Sequence, residues 1–322
     1  MYLRGKIFRL CILALCLGMA LPSVASAAAW PQSTIKAIVS FSPGGANDLV
    51  ARIIAPELSK ILGVPVVVEN VPGASGSIGL NRLAAAKPDG YTLAVAAEGS
   101  AAVVSNFNNV GYTTKEFAPI AQVVNLDQSI YVSKDSGIKT LKELLAKAEK
   151  EQLSYGIPGI HSSPRLTVEN LMHAVKKPGF MTLVPFGGGA EVISTVLAGK
   201  IAAGGSPLQD IVPYIKNGSL IALAIASPER DPDFPDIPTL TELGYPIVQG
   251  TWFGFAAPAK TPPAVIAKVD EAVAQALKLP HVQEALKKIG GSPQYLNAKA
   301  FTEKWHKGFE SVKDMIATFG LK

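Results

Sequence analysis

The chain has 322 residues, 48% of them hydrophobic and 17% charged, with a formal net charge of +5. That balance excludes a disordered chain, and 29 glycines with 24 prolines fall short of a low-complexity composition. The length exceeds what one hydrophobic core usually fills, which points to two lobes.

The first 27 residues are unlike the rest. Arg4, Lys6 and Arg9 form a basic head, Leu10 to Leu21 an apolar run, and Ala25-Ser26-Ala27 a stretch of small residues. This reads as a cleavable secretory signal peptide over residues 1–27, with Ala29 as a second possible cleavage point. The apolar run is too short to span ~30 Å of hydrocarbon, and Leu15 before Cys16 argues against a lipid anchor. The remaining 295 residues hold 27 basic and 25 acidic residues, a net charge of +2, and no cysteine. Disulfides, thiolate nucleophiles and cysteine metal ligands are excluded, and the charge is no nucleic-acid footprint. No later run reaches the ~18 apolar residues a membrane helix needs.

Ile35 to Phe41 reads as a strand, Ser42 to Gly45 as a turn, and Asp48 to Leu62 as a helix. In that helix Leu49, Val50, Ile53, Ile54, Leu58, Ile61 and Leu62 recur at helical spacing, and Gly63 closes it. Val64 to Glu69 is a strand, Pro72 to Gly76 a turn into a helix reaching about Ala86, and Leu93 to Ala97 a third strand. The same grammar restarts later. Helices fall at Leu141–Lys150, Ser163–Val175, Ala190–Ala198 and Pro207–Lys216, with strands at Leu153–Gly156, Met181–Pro185 and Ile221–Ala226. This alternation predicts parallel sheets with helices on both faces. Residues 28–129 with 248–322 form lobe 1, and residues 130–247 form lobe 2. Two β-rich segments, Ile120–Val132 and Val248–Ala257, cross between the lobes and make a hinge. Helices at Pro262–Lys278, Pro280–Ile289 and Ala298–Phe319 are expected to pack back on lobe 1.

Four junctions share one design: a strand ends, a Gly/Ser/Pro turn follows, and a helix begins. They are Ser42–Asn47, Pro72–Ser77, Gly159–Ser163 and Phe186–Ala190. Such turns lie at the carboxyl ends of parallel strands, where ligands bind in open α/β sheets. Each helix start offers unpaired N–H groups and the positive end of a dipole, so several facing one cleft bind an anion without lysine or arginine. Asn47 is an N-cap candidate, and Asp48 complements the dipole of its helix. Ser75, Ser77, Ser162 and Ser163 can donate to a carboxylate. Phe41 and Phe186 stand at strand ends as pocket walls or core. Arg165 is the one cation near a turn, on the helix surface or positioned for a carboxylate.

Catalytic motifs fail. Ser194 to Ile201 has serine for the first P-loop glycine and isoleucine after the lysine. Gly73-Ala74-Ser75-Gly76-Ser77 lacks the last glycine of a nucleophile elbow. Gly187-x-Gly189 has Val192 where a dinucleotide fingerprint needs glycine. His161, His173, His281 and His306 have no metal-ligand spacing and read as surface residues. No cofactor is expected.

Ser40-Phe41-Ser42-Pro43-Gly44-Gly45-Ala46-Asn47-Asp48 resembles the PFPPGGxxD signature of the Bug proteins, the substrate-binding subunits of tripartite tricarboxylate transporters. Val68 to Gly79, Lys87 to Leu93, Leu197 to Lys200, Ile237 to Gly244 and Trp252 to Pro258 resemble the same family in the same order. The resemblance covers essentially the whole chain after the leader. It implies a monomeric periplasmic receptor with an α/β, two-lobed periplasmic-binding-protein fold, a type II-like Venus flytrap with two hinge crossings. It implies a small carboxylate, di- or tricarboxylate or aromatic, held by backbone amides, hydroxyls and waters. The implied partners are a multi-span permease and a small membrane subunit.

Three departures bear on the ligand. Pro185-Phe186-Gly187-Gly188 replaces Pro-Tyr-Lys-Gly-Gly. Gly205-Ser206-Pro207 replaces Phe-Asp-Asn, and the missing aspartate argues against amino-acid ligands. Arg165 takes the place of the histidine in Gly-Ser-x-x-His, which favours a second carboxylate. Phe41, Ser42, Pro43, Gly44, Gly45, Asn47 and Asp48, with Ala74, Ser75, Gly76 and Ser77, are the expected contacts in lobe 1. Ser162, Ser163, Arg165, Phe186, Gly187, Gly188 and Ser206 are those in lobe 2. The alternatives are a ligand sensor for a two-component kinase and an exported hydrolase using Ser75.

Overall fold

The computed structural model describes residues 30–289 and 291–320, so the expected leader lies outside the described residues. Ile35–Val39 (β1), Val66–Asn70 (β2) and Thr92–Ala97 (β3) pair in parallel in the order β2-β1-β3. Ala46–Leu62 (α1) joins β1 to β2, burying Val50, Ile54, Leu58 and Leu62 with Ile35, Ala37 and Val39 of the sheet. It ends at Gly63, whose φ of +74° is a left-handed conformation that glycine adopts without strain. Ser77–Ala84 (α2) covers the opposite face, placing Leu80 and Leu83 with Ile38, Ala94 and Ala96. The period-2 alternation of the strands thus feeds two helical layers.

After Val104–Phe107 (α3) the chain enters Phe117–Ser133 (β4), a strand long enough to serve two sheets. Leu141–Ala148 (α4), Leu153–Ile157 (β5), Ser163–Ala174 (α5), Met181–Pro185 (β6), Gly189–Leu197 (α6), Ala203–Pro207 (β7), Leu208–Lys216 (α7) and Leu220–Ile225 (β8) follow. They build the smaller sheet, in which β6-β5-β7 run parallel and β4 is flanked by β7 and β8 antiparallel. The chain returns through Gly250–Pro258 (β9), which pairs antiparallel with β3 and with Phe117 to Asp127 of β4. Pro263–Leu277 (α8) and Pro280–Lys288 (α9) pack in the core of α1, and Ser292–Leu296 (β10) adds to the other edge of β4. Ala298–Phe319 (α10) lays Phe301 and Trp305 on Trp252 and Phe117.

The sheets are therefore mixed rather than wholly parallel. The chain leaves the larger sheet along β4 and comes back along β9, and two adjacent crossings in opposite directions run antiparallel. At the crossing point the Ala226 amide donates to the Gln128 carbonyl, the Gln249 amide to the Ala226 carbonyl, and the Gln128 amide to the Gln249 carbonyl. The segments expected to form the hinge, Ile120–Val132 and Val248–Ala257, run through this crossing, with most of each paired inside β4 or β9. β7 carried no strand signal because Gly204 and Gly205 are poor strand formers. They are required by packing: a Cβ on Gly205 would stand 2.6 Å from the Tyr155 hydroxyl, and one on Gly204 2.8 Å from Val192.

A cleft between the two sheets

A cleft of about 420 Å³ opens between the carboxyl ends of the strands of the two sheets. The larger sheet contributes Phe41, Gly45, Ala46, Asn47, Ala97, Gly99, Leu126, Thr251 and Phe253 to its wall. The smaller sheet contributes Pro158, His161, Ser162, Ser163, Pro164, Gly189, Pro207 and Asp210. The starts of α1, α5 and α6 all reach this wall, and none carries a side-chain cap hydrogen bond. Three of the four expected junctions therefore converge on one space.

At α1 the N-cap is Gly45, not Asn47, which sits inside the first turn. Asn47 is 3% exposed, and neither its amide nitrogen nor its oxygen has a hydrogen-bond partner among the described residues. A buried primary amide with no partner is costly unless a ligand or water completes it. Asp48 has a structural role. Its carboxylate accepts the Gly44 amide at 2.9 Å, the Asn70 side chain at 2.8 Å and Arg52 at 2.8 Å. Burial pushes this acid up, but the bonds from Arg52, Gly44 and Asn70 outweigh it and hold it at about 2. Asp48 thus clamps the Ser42–Gly45 turn to β2, fixing where the α1 amides point. Ser42, Pro43 and Gly44 are exposed in that turn, outside the cleft wall.

The Pro72–Ser77 junction does not line the cleft. Ala74 and Ser75 are exposed in left-handed conformations, at φ +46° and +54°. Ser77 turns its hydroxyl to the Ala74 carbonyl, and Gly76 lies against Phe41, where a Cβ would come within 3.0 Å of the ring. This turn backs the phenylalanine that walls the cleft.

In the second wall Ser162 caps α5 and spends its hydroxyl on the Gly159 carbonyl. Arg165 is buried rather than on the surface. It donates to the Ile160 carbonyl at 2.9 Å, pairs with Glu169 at 3.5 Å and lies over the Phe107 ring, away from the cleft wall. Its own helix and a short apolar neighbour claim it, which the sequence spacing did not reveal. His161, expected on the surface, lines the cleft against Phe107, and burial together with Arg165 pushes its imidazole down. Phe186 packs with the core of the smaller sheet, beside Val192 and Ile201, and not on the cleft. The Gly187 amide is taken by Glu191 at 2.9 Å, Gly188 is the α6 N-cap, and Gly189 is the glycine that meets the cleft. Ser206 is fully buried behind Gly189, its hydroxyl 2.9 Å from the Tyr131 hydroxyl.

Two carboxylates at the site carry no local sequence signal. Glu98, directly after β3, is buried and accepts from Ser163 Oγ at 2.8 Å and from Gln249 Nε2 at 3.1 Å. Burial pushes it up to about 7, against the opposing pull of Ser163, Lys304 and Gln249. Asp210 stands in the first turn of α7, where an acid looks like an ordinary dipole complement. It nevertheless faces the cleft, and the surrounding walls push it up to about 6 even though it stays open to solvent. Among the described residues no group of three or more histidine, cysteine or acidic side chains is placed to hold a metal.

Residues 50–321 match the model of the tripartite tricarboxylate transporter family receptor. The chain belongs to this receptor family. The receptor is 34% identical to the UPF0065 protein in the gbd 5′ region of Cupriavidus necator, over 94% of this chain and 92% of that one. Its fold matches that of a TctC solute binding protein from Polaromonas, solved with no ligand. That match has a TM-score of 0.81, 28% identity, and covers 90% of this chain and 100% of the other. It also matches MatC from Rhodopseudomonas palustris with bound malate, at a TM-score of 0.73 and 29% identity, over 89% of this chain and all of that one. The α/β, two-lobed binding-protein architecture expected from the sequence is the one these structures share. Among the described residues no helix is long and apolar enough to cross a membrane.

Proposed function

We propose that this receptor captures a small carboxylate in the cleft between its sheets and passes it to a multi-span membrane permease with a small membrane subunit. It acts without catalysis, as a monomer, in the periplasm after loss of residues 1–27. Residues 28–129 with 248–322 form one lobe and residues 130–247 the other, and they move about the Gln128–Ala226–Gln249 crossing. Ligand bridging both walls shifts the equilibrium between open and closed arrangements.

The observation that carries this reading is Asn47, a buried amide on the cleft wall at the uncapped start of α1, without a partner among the described residues. An anion there meets backbone N–H groups, the positive end of a long helix and the Asn47 nitrogen together. Gly45 and Ala46 supply the α1 amides. Ser162, Ser163 and Gly189 meet the ligand from the second wall. The turn containing Ser75 supports Phe41 rather than supplying a nucleophile. A relative of the same fold that binds malate supports a carboxylate as ligand.

Native mass spectrometry of the gently purified processed protein, followed by thermal shift against mono-, di-, tri- and aromatic carboxylates, tests this. A retained acid, or a raised melting temperature with one class, is the expected result, since ligand that binds only the native state stabilises it by mass action. No retained mass and no shift with any acid contradicts it.

A further inference from the structure

We infer that the cleft selects a carboxylate whose far end carries a hydrogen-bond donor, a hydroxyl or an ammonium group, held by Asp210, over one that ends in a second carboxylate. This rests on the carboxylate reading above and names the class of acid.

The cleft wall holds two ionisable side chains, His161 and Asp210, and no lysine or arginine. His161 is half-buried beside Phe107, and burial, then the neighbouring Arg165 cation, push its imidazole below the ordinary value, which disfavours the charged form. The site therefore contains no cationic side chain to neutralise a second anionic group. The positive ends of its helices differ: those of α1 and α5 reach the cleft without a side-chain cap, and that of α6 has acids beside it. α1 faces the cleft with free first-turn amides and the unpaired Asn47 amide. At α6 the Gly187 amide is already taken by Glu191, and Asp210 Oδ2 lies 3.1 Å from the place a Cβ on Gly189 would occupy. A carboxylate thus already stands at that helix start, and an incoming anion there meets like charge.

The Asp210 carboxylate forms no hydrogen bond or ion pair with the described residues. Its place in α7 explains its tolerance for the helix dipole, not its lack of partners. Asp210 is exposed to solvent. A ligand filling the cleft displaces solvent there, and the carboxylate then needs a donor from the ligand. A site built this way rejects an analogue that lacks the donor, because the protein group is left unpaired. The rest of the wall is mostly apolar, with Phe41, Leu126, Phe253, Pro158, Pro164 and Pro207 beside Ser162, Ser163 and Thr251.

The test is calorimetric titration of the processed wild-type protein and of Asp210→Asn with two matched sets. One set is benzoate, 4-hydroxybenzoate, 4-(aminomethyl)benzoate and terephthalate. The other is butanoate, 4-hydroxybutanoate, 4-aminobutanoate and butanedioate. In at least one set the wild type should bind the donor-bearing acids at least tenfold more tightly than the diacid. In Asp210→Asn that gap should shrink below threefold, with a melting temperature equal to or above that of the wild type, because burial already disfavours the charged form of Asp210. Equal or tighter binding of the diacid by the wild type, with the ranking unchanged in the variant, overturns the inference and leaves the carboxylate site standing. Absence of binding by every acid in both sets overturns the inference and the carboxylate reading together. The wild-type ranking decides the matter even if the variant fails to fold.

Discussion

The Ser163 hydroxyl donates to the Glu98 carboxylate at 2.8 Å, joining the first residue of α5 on the smaller sheet to the residue that follows β3 on the larger one. Gln249, at the crossing between the sheets, donates to the other oxygen of the same carboxylate. Lys304 of α10 faces the group, held 3.4 Å from Asn125, whose amide also binds Asp127. One buried acid thus gathers both walls of the cleft and the crossing into a polar seam.

Glu98 gives the stability a defined pH dependence. Its folded pKa of about 7 lies above the ordinary value of 4.5, so between these values the folded state binds the proton that the unfolded state releases. Stability from this group is complete below about pH 4.5, falls as pH rises through 7, and is level above. The change amounts to on the order of 3 kcal/mol. Chemical denaturation from pH 4.5 to 8 should show this fall in the wild type, and Glu98→Gln should lack it. A parallel pair of profiles would show that Glu98 is not the group responsible.

Asp48 works in the opposite sense. Its folded value of about 2 lies below 3.8, so its contribution is present above about pH 4 and is lost as pH falls toward 2. Asp48→Ala should lower stability at pH 7 by about 2 kcal/mol and flatten the acid limb of the denaturation profile. Because the clamp holds the Ser42–Gly45 turn, the variant should also bind ligand more weakly.

Asn47→Ala separates affinity from stability. The side chain has no partner among the described residues, so removing it leaves no other described group unpaired and should keep or slightly raise the melting temperature. Affinity for the captured acid should fall about tenfold, or about 1.4 kcal/mol, the worth of a hydrogen bond to a charged group. A large loss of stability with unchanged affinity would make Asn47 a core residue.

Gly205→Ala probes why β7 has its composition. A Cβ there meets the Tyr155 hydroxyl at 2.6 Å and Pro164 at 3.1 Å. Overpacking of this kind should cost about 1–3 kcal/mol, measured by denaturant unfolding. Gly188→Ala, where nothing lies within 4 Å and φ is extended, should be nearly neutral.

Most of the layered fold could be read from periodicity. α1, α5, β6 and α10 lie within two or three residues of their expected bounds, because each carries an unbroken apolar face bounded by glycine, serine or proline. The convergence of helix starts could be read from the turns that follow β1, β5 and β6. Glu98 and Asp210 could not, because each looks locally ordinary: one acid after a strand, one in a first helical turn. Their roles come from contacts far apart in sequence, such as Glu98 with Ser163 and Gln249. Arg165 shows the converse. A cation beside a glycine turn suggested ligand contact, but Phe107, Glu169 and the Ile160 carbonyl enclose it. β10 was missed because its burial is slight and its pairing with β4 is irregular.

The central claim is that an acid enters the cleft at the start of α1. Gly45 has φ of −77°, and a Cβ there makes only an ordinary contact 3.6 Å from the Ser42 carbonyl, so Gly45→Phe can fill the cleft without backbone strain. Calorimetry of wild type and Gly45→Phe with the acid found by thermal shift is the decisive measurement. Saturable binding to the wild type and none to Gly45→Phe, at an equal melting temperature, is the expected result. Equal binding by both proteins would place the ligand elsewhere and contradict it.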